Sequence, residues 1–155
     1  MRAEGCFLCR AQFETPVIRE SGLWRIVVNR NQDLLAKTII ALKRHEEDVS
    51  RLSEAEWREL LGEVQWVVER VRNAFAPDHF NYSFLMNRDH HVHLHVIPRY
   101  VESRELAGVL FTDPDYPSAY QLPPTPQQIA PPRVIEAVHA ALAGASCTFS
   151  RAYSA

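Results

Sequence analysis

A chain of 155 residues with 46% hydrophobic content is the right size for one compact domain with its own core. Its 17 basic and 19 acidic residues leave a formal charge of -2, which argues against the basic coat of a general nucleic-acid binder and leaves room for a small anionic ligand. Three cysteines are an odd number for a secreted disulfide framework, and there is neither an apolar run of membrane-spanning length nor a signal-peptide core, so a cytoplasmic protein without a membrane partner is expected.

The first chemical feature along the chain is Cys6-Phe7-Leu8-Cys9. Residues 17–21 suit a short strand. Leu23 to Val28 suits a second, with Trp24, Ile26 and Val28 alternating against Arg25, and it ends in the polar turn Asn29-Arg30-Asn31-Gln32-Asp33. Thr38 to Leu42 reads as a third strand, antiparallel to the last, followed by Lys43-Arg44-His45. Ser50 and Ser53 are both candidate caps of a helix start, and Ser53 with Glu56 makes the capping-box pattern. From Glu54 to about Phe75 the residues Trp57, Leu60, Leu61, Val64, Val67, Val68, Val71 and Phe75 fall on one broad helical stripe. Trp66 lies about half a turn from that stripe, and Pro77 stops the helix.

Phe80 to Met86 predicts a strand, Asn87-Arg88-Asp89 a tight turn, and His91 to Ile97 its antiparallel partner, ended by Pro98. Pro114, Pro117, Pro123, Pro124, Pro126, Pro131 and Pro132 mark residues 112–133 as an irregular arm. Arg133 to Ala143 reads as a last helix, stopped by Gly144. This order predicts an α+β fold: an antiparallel sheet with helices packed on one face and a proline-rich C-terminal extension. One domain is expected over residues 1–155, with its core at about 5–100 and the extension at about 101–155.

Side chains of a strand alternate between faces. His91, His93 and His95 therefore share one face, expected to be exposed, and Val92, Leu94 and Val96 point into the core. Imidazole serves as a nucleophile toward phosphorus, a proton carrier or a metal ligand, and the three residues alone leave all of these open. Cys6-x-x-Cys9 alone fits metal binding, redox use or two buried thiols.

His91-Val92-His93-Leu94-His95-Val96-Ile97-Pro98-Arg99 closely resembles the signature of the histidine triad (HIT) superfamily: three histidines separated by single apolar residues, then two further apolar residues. Upstream, Val27-Val28-Asn29-Arg30 resembles the family's ribose-binding turn, and Thr38 to His45 resembles the strand and histidine that follow it. The resemblance covers about residues 5–100. It implies a HIT-like fold and a hydrolase or transferase acting at a nucleotide α-phosphate, on substrates such as dinucleoside polyphosphates, nucleoside phosphoramidates or adenylylated amines. It implies that His93 attacks the phosphorus to give a covalent nucleotidyl-histidine, and that His95 beside it meets phosphate oxygens. A neighbouring backbone carbonyl would accept the proton on the far ring nitrogen of His93. Asn29 is implied at the ribose hydroxyls, against the plainer reading that it only shapes its turn.

One branch of the superfamily carries zinc between an N-terminal CxxC, a histidine after the third strand, and the first triad histidine. The matching residues are Cys6, Cys9, His45 and His91; four protein ligands make the implied zinc structural. The family also implies a homodimer, with Trp66 expected near the contact or covered by the chain's own tail. Phe7, Leu8 and Ile26 are candidates to pack against a base and are equally good core. The sequence departs from the family before the triad, where many members place a longer loop bearing glycine, glutamine and a hydroxyl residue. Asn87-Arg88-Asp89-His90 stands there instead, and Asn87 and Arg88 are the expected substrate contacts. Lys37, Lys43 and Arg99 are further phosphate candidates that read more readily as solvated surface. The competing function is a non-catalytic nucleotide-binding or zinc-stabilised interaction module.

Overall fold

The computed structural model describes residues 6–9, 15–121, 129–144 and 150–151. Alternating apolar residues give β1 (Val17–Glu20), β2 (Trp24–Val28) and β3 (Thr38–Leu42), and the 3.6-residue period gives α1 (Glu54–Phe75). With β4 (His79–Ser83) and β5 (His93–Arg99) the strands form one antiparallel sheet in the order β1-β2-β3-β5-β4. Further along, β6 (Arg104–Leu106), β7 (Val109–Phe111) and β8 (Ser150–Arg151) pair as a second, small sheet, and α2 (Pro132–Ala143) precedes β8.

One face of the large sheet carries the core. Trp24, Ile26, Val28, Ile40, Leu42, Leu94 and Val96 pack there against Leu60, Val67, Val68, Val71 and Phe75 of α1 and Val134, Val138 and Leu142 of α2. The expected α+β arrangement, with helices on one face, is the observed one. Among the described residues no helix is long and apolar enough to cross a membrane.

α1 begins at the expected capping box. Ser53 Oγ accepts from the Glu56 amide at 3.3 Å, and Glu56 Oε2 accepts from the Ser53 amide at 2.7 Å. The helical stripe differs from expectation at four places. Trp57 and Leu61 are 42% and 59% exposed, and Glu56 and Glu63 are buried in their stead. Burying a lone carboxylate costs several kcal/mol, but neither is alone. Arg44 forks onto Glu56 at 2.6 and 3.0 Å and holds its carboxyl down at about 2, and Arg19 reaches Glu63 at 3.1 Å. Trp66 is half-buried, not an open surface ring. The guanidinium groups of Arg19 and Arg70 lie 5.0 and 5.1 Å from its centre, and Ala141 and Gly144 at the end of α2 border the same groove.

Three strand boundaries also moved, and one of them is the start of β5 at His93 instead of His91, which leaves the first triad histidine just before the strand. β4 stops at Ser83 instead of Met86, its pairing ending opposite His95, and Met86 itself adopts a left-handed conformation (φ 46°) that no strand continues through. The connection from Phe84 to Val92 is thus longer than the four-residue turn expected. β5 runs through Pro98 to Arg99. Pairing with β3 ends at Thr38 opposite Val96, so at Pro98 only β4 flanks the strand and the missing N–H deprives no second neighbour.

The extension opens as packed structure. The buried guanidinium of Arg104 donates to the carbonyls of Phe75 (3.3 Å), Ala76 (3.0 Å) and Glu102 (2.7 Å), satisfying the end of α1 that the helix itself leaves unpaired. Tyr100 donates its hydroxyl to the Leu35 carbonyl at 3.0 Å. Pro131 caps α2 and Pro132 fills its first turn, where a missing N–H costs nothing. Pro123, Pro124 and Pro126 lie outside the described residues, as does Cys147.

Candidate functional site

The sheet face opposite the helices holds a cleft of about 450 Å³. Strand alternation delivers His93 and His95 into it from β5, Val27 from β2 and Ile39 from β3. In the register His95 lies opposite Ile39 and Ser83, and His93 opposite Ala41, so small or apolar neighbours flank the imidazoles. The Phe84–Val92 connection supplies Leu85, Met86, Asn87, Arg88 and Asp89, and the Cys6–Cys9 turn supplies Phe7 and Leu8. These two segments cover the histidine face. His91 and His93 are consequently buried and not exposed as expected.

The hydrogen bonds around the histidines close in one way. His93 Nδ1–H donates to the His91 carbonyl at 2.7 Å, leaving the His93 Nε2 lone pair free of its own proton. That nitrogen lies 3.0 Å from His95 Nε2, which must therefore be the donor. His95 Nδ1 is then an acceptor and faces Asn29 Nδ2 at 3.5 Å. This inventory requires neutral rings. Burial, above all, pushes the pKa of His93 below its ordinary value, and burial with the charges of His93 and Lys37 pushes that of His95 down to about 3.

Beside the triad, Cys6, Cys9, His45 and His91 present four donor atoms within 4.8 Å of one another. Cys6 Sγ and Cys9 Sγ each lie 3.4 Å from His91 Nδ1, Cys9 Sγ lies 3.3 Å from His45 Nδ1, and the two Nδ1 atoms are 3.3 Å apart. A tetrahedral ion with bonds of about 2.0–2.3 Å requires donor separations of about 3.3–3.8 Å, so the cluster fits a metal ion. The outer partners fit as well. His91 Nε2–H donates to the Leu42 carbonyl at 2.7 Å, which turns the unprotonated Nδ1 toward the cluster. His45 Nε2 faces Glu47 at 3.2 Å.

Other sequence candidates divide cleanly. Asn29 shapes its turn, its Oδ1 accepting from the Asn31 amide at 3.0 Å, and the residue also borders the cleft. Asn87 and Arg88 line the cleft and are exposed. Lys37 is only 2% exposed, and its ammonium is taken by Asp33 and by the Tyr120 hydroxyl at 2.7 Å. Arg99 is equally buried, forked onto Asp113 at 2.6 and 3.0 Å and donating to Asn81 at 2.6 Å. Neither is solvated surface, and neither is among the cleft residues. Lys43 is exposed, donates to the Ser21 carbonyl at 3.0 Å and is not among the cleft residues. Ile26 belongs to the helix face and cannot meet a base there. Thr15, Ile39, Leu85 and Met86 line the cleft without having been singled out, and Arg30 of the ribose-turn segment lines it too. Ile39 was findable, since the strand register sets it beside His95; Thr15 carried no signal.

A family model described as the HIT domain matches residues 10–102. Among solved structures, a histidine triad protein from Sinorhizobium meliloti is 18% identical, with 83% of this chain and 87% of that chain covered at a TM-score of 0.66. One from Marinobacter aquaeolei is 22% identical over 83% and 86% of the two chains, also at 0.66. A zinc-bound histidine triad family protein from Mycobacterium smegmatis is 16% identical over 82% and 83%, at 0.54. No curated protein sequence matches the chain.

Proposed function

The chain belongs to the HIT domain family, and from that premise we propose that it is a nucleotide hydrolase or nucleotidyltransferase working through a nucleotidyl-histidine intermediate. The observation that carries the reading is the unprotonated Nε2 of His93, held toward the cleft by the Nδ1–H bond to the His91 carbonyl and met by a donor on His95. In the first step Nε2 attacks the α-phosphorus; a P–N bond forms as the bond to the leaving group breaks, and the leaving group carries off its electron pair and takes up a proton. Water or another acceptor then attacks the same phosphorus and releases His93. As phosphate enters, the His95 Nε2–H turns from His93 to a non-bridging oxygen, so one donor both guards the nucleophile and stabilises the developing charge. Asn29 meets the ribose, and Asn87 with Arg88 meets the phosphates. The substrate class is a dinucleoside polyphosphate or an adenylylated amine.

Two thiolates and two imidazoles are a donor set for zinc rather than for the oxygen-seeking ions. With four protein ligands that zinc is structural, and it pins the N-terminal turn to the triad strand. Free cysteines suit a reducing, cytoplasmic setting. The test is a rapid acid-free quench after mixing with nucleotides labelled at the α-phosphate. Label is expected on the protein, stable to alkali and released by mild acid, as a phosphoramidate requires. Turnover with no protein-bound label at any time would rule out the covalent route; nucleotide retention without turnover would leave the non-catalytic binding module.

A homodimer is part of the same proposal, and the structure offers a second candidate surface for it besides that of Trp66. β4 is an edge strand bearing exposed Tyr82; on α1 exposed Trp57 lies edge-on to Phe84, just past the end of β4, at 6.1 Å, and exposed Leu61 follows it by one helical turn. An open edge beside exposed apolar side chains suits twofold pairing with a second copy. Sedimentation should give a dimer for the wild type and for Trp66→Ala, and a monomer for Leu61→Glu. A Leu61→Glu dimer would exclude this face.

A further inference from the structure

The two residues between the cysteines of the metal cluster are also wall of the nucleotide cleft. Phe7 and Leu8 line the cleft that holds His93 and His95, and Leu8 is 3% exposed. They sit on a single 3-10 turn, Phe7–Cys9, closed by the Cys9 amide donating to the Cys6 carbonyl at 3.3 Å. One such turn has no stability of its own, because fixing its dihedrals yields too few hydrogen bonds. It is docked through Cys6 Sγ and Cys9 Sγ on His91 Nδ1 and through Cys9 Sγ on His45 Nδ1. His91 then reaches the other side of the cleft: its ring faces the cluster while its carbonyl holds His93 Nδ1 at 2.7 Å. The four side chains thus tie down the turn that carries the apolar wall, and the residue that supplies one of them also holds the proposed nucleophile through its backbone carbonyl.

We propose that metal occupancy of the Cys6, Cys9, His45 and His91 cluster and nucleotide occupancy of the cleft are thermodynamically linked, with Phe7 and Leu8 as the residues that transmit the linkage. This rests on the nucleotide reading of the cleft and adds a regulation to it: the metal is a positive effector of nucleotide binding. With the metal bound, four ligand bonds fix the turn and present Phe7 and Leu8 to the base. Without it, the two thiols retain only weak contacts to the imidazoles, the turn samples other positions, and the base loses its apolar wall. An apolar contact of that size is worth about a 10- to 100-fold change in dissociation constant. Linkage is reciprocal, so nucleotide must tighten the metal by the same factor.

The test uses the full chain, with Co2+ as a visible probe of the thiolate site and adenosine and guanosine monophosphates as unreactive ligands. Calorimetry should show the better-bound monophosphate binding about 10- to 100-fold more tightly to metal-loaded than to metal-free protein. Competition against a chelator should show that ligand tightening Co2+ by an equal factor. Equal nucleotide affinity with and without metal would overturn the linkage and leave the nucleotide site standing. Binding to neither form would overturn the nucleotide reading, and the linkage with it. A second measurement does not depend on the metal-free chain staying folded. Metal-loaded Phe7→Ala should keep the wild-type Co2+ spectrum and bind nucleotide about 10-fold more weakly; unchanged affinity in that variant would overturn the role given to the turn.

Discussion

Replacing His93 with alanine should lower kcat/KM by at least about a thousandfold while changing the nucleotide dissociation constant by less than about threefold. The asymmetry follows from the geometry. Nε2 of His93 is needed to form the P–N bond, but in the resting site it is occupied by the N–H of His95. Its removal therefore deletes the reacting atom and leaves the wall residues in place. His93→Gly should recover part of the lost turnover when imidazole is added, because the space vacated lies between His95 and the His91 carbonyl. His95→Ala should cost less, about 100-fold, since it removes one donor to the transition state and no bond-forming atom. Burial keeps His95 neutral down to about pH 3, with His93 and Lys37 the charged or titrating neighbours that add to the effect. A rate profile with an acid limb governed by His95 near its ordinary pKa of about 6.5 would count against this arrangement. Steady-state kinetics of the three variants, with binding measured separately, decide it.

What was legible in the sequence is what neighbours along the chain decide. Alternation on β5 put His93 and His95 on one face and Leu94 and Val96 on the other, and the Ser53–Glu56 spacing located the start of α1. The metal cluster was legible only through the family resemblance, since Cys9 and His91 are 82 residues apart. The misread positions each depend on a partner far away in the chain. Glu56 and Glu63 look solvent-facing until Arg44 and Arg19 arrive from the β-strand side to pair with them. Lys37 and Arg99 look like free cations until Tyr120 and Asp113 of the extension fold over them. The histidine face looked exposed because no local pattern announces that Phe7, Leu8 and the Leu85–Asp89 segment close over it. Met86 hid the length of that segment: an apolar residue at the end of an apolar run reads as strand, and only its positive φ breaks the run.

Removing the metal, or replacing Cys9 with serine, should lower unfolding stability by roughly 5 kcal/mol, less than the about 10–16 kcal/mol found where a structural zinc organises an otherwise unfolded peptide. The difference is the core. Trp24, Ile26, Ile40, Val71, Phe75 and Leu94 remain packed without the cluster, so the metal-free chain keeps its sheet and helices and loses the N-terminal turn. Acid should act on the same region with a definite sign. His95 is held down to about 3 in the folded chain and returns to about 6.5 when unfolded, so the unfolded state binds the extra proton between those values. Its contribution is complete above about pH 6.5 and falls by about 2 kcal/mol by pH 5. Metal loading steepens this acid limb, because protons compete for the imidazoles and thiolates that the ion requires. Urea unfolding from pH 5 to 8, with zinc and with chelator, should therefore give two curves that are far apart at pH 8 and converge toward pH 5. Coincident curves would mean that the four side chains hold no metal at neutral pH, and a stability that rises on acidification would mean that His95 is charged in the folded chain.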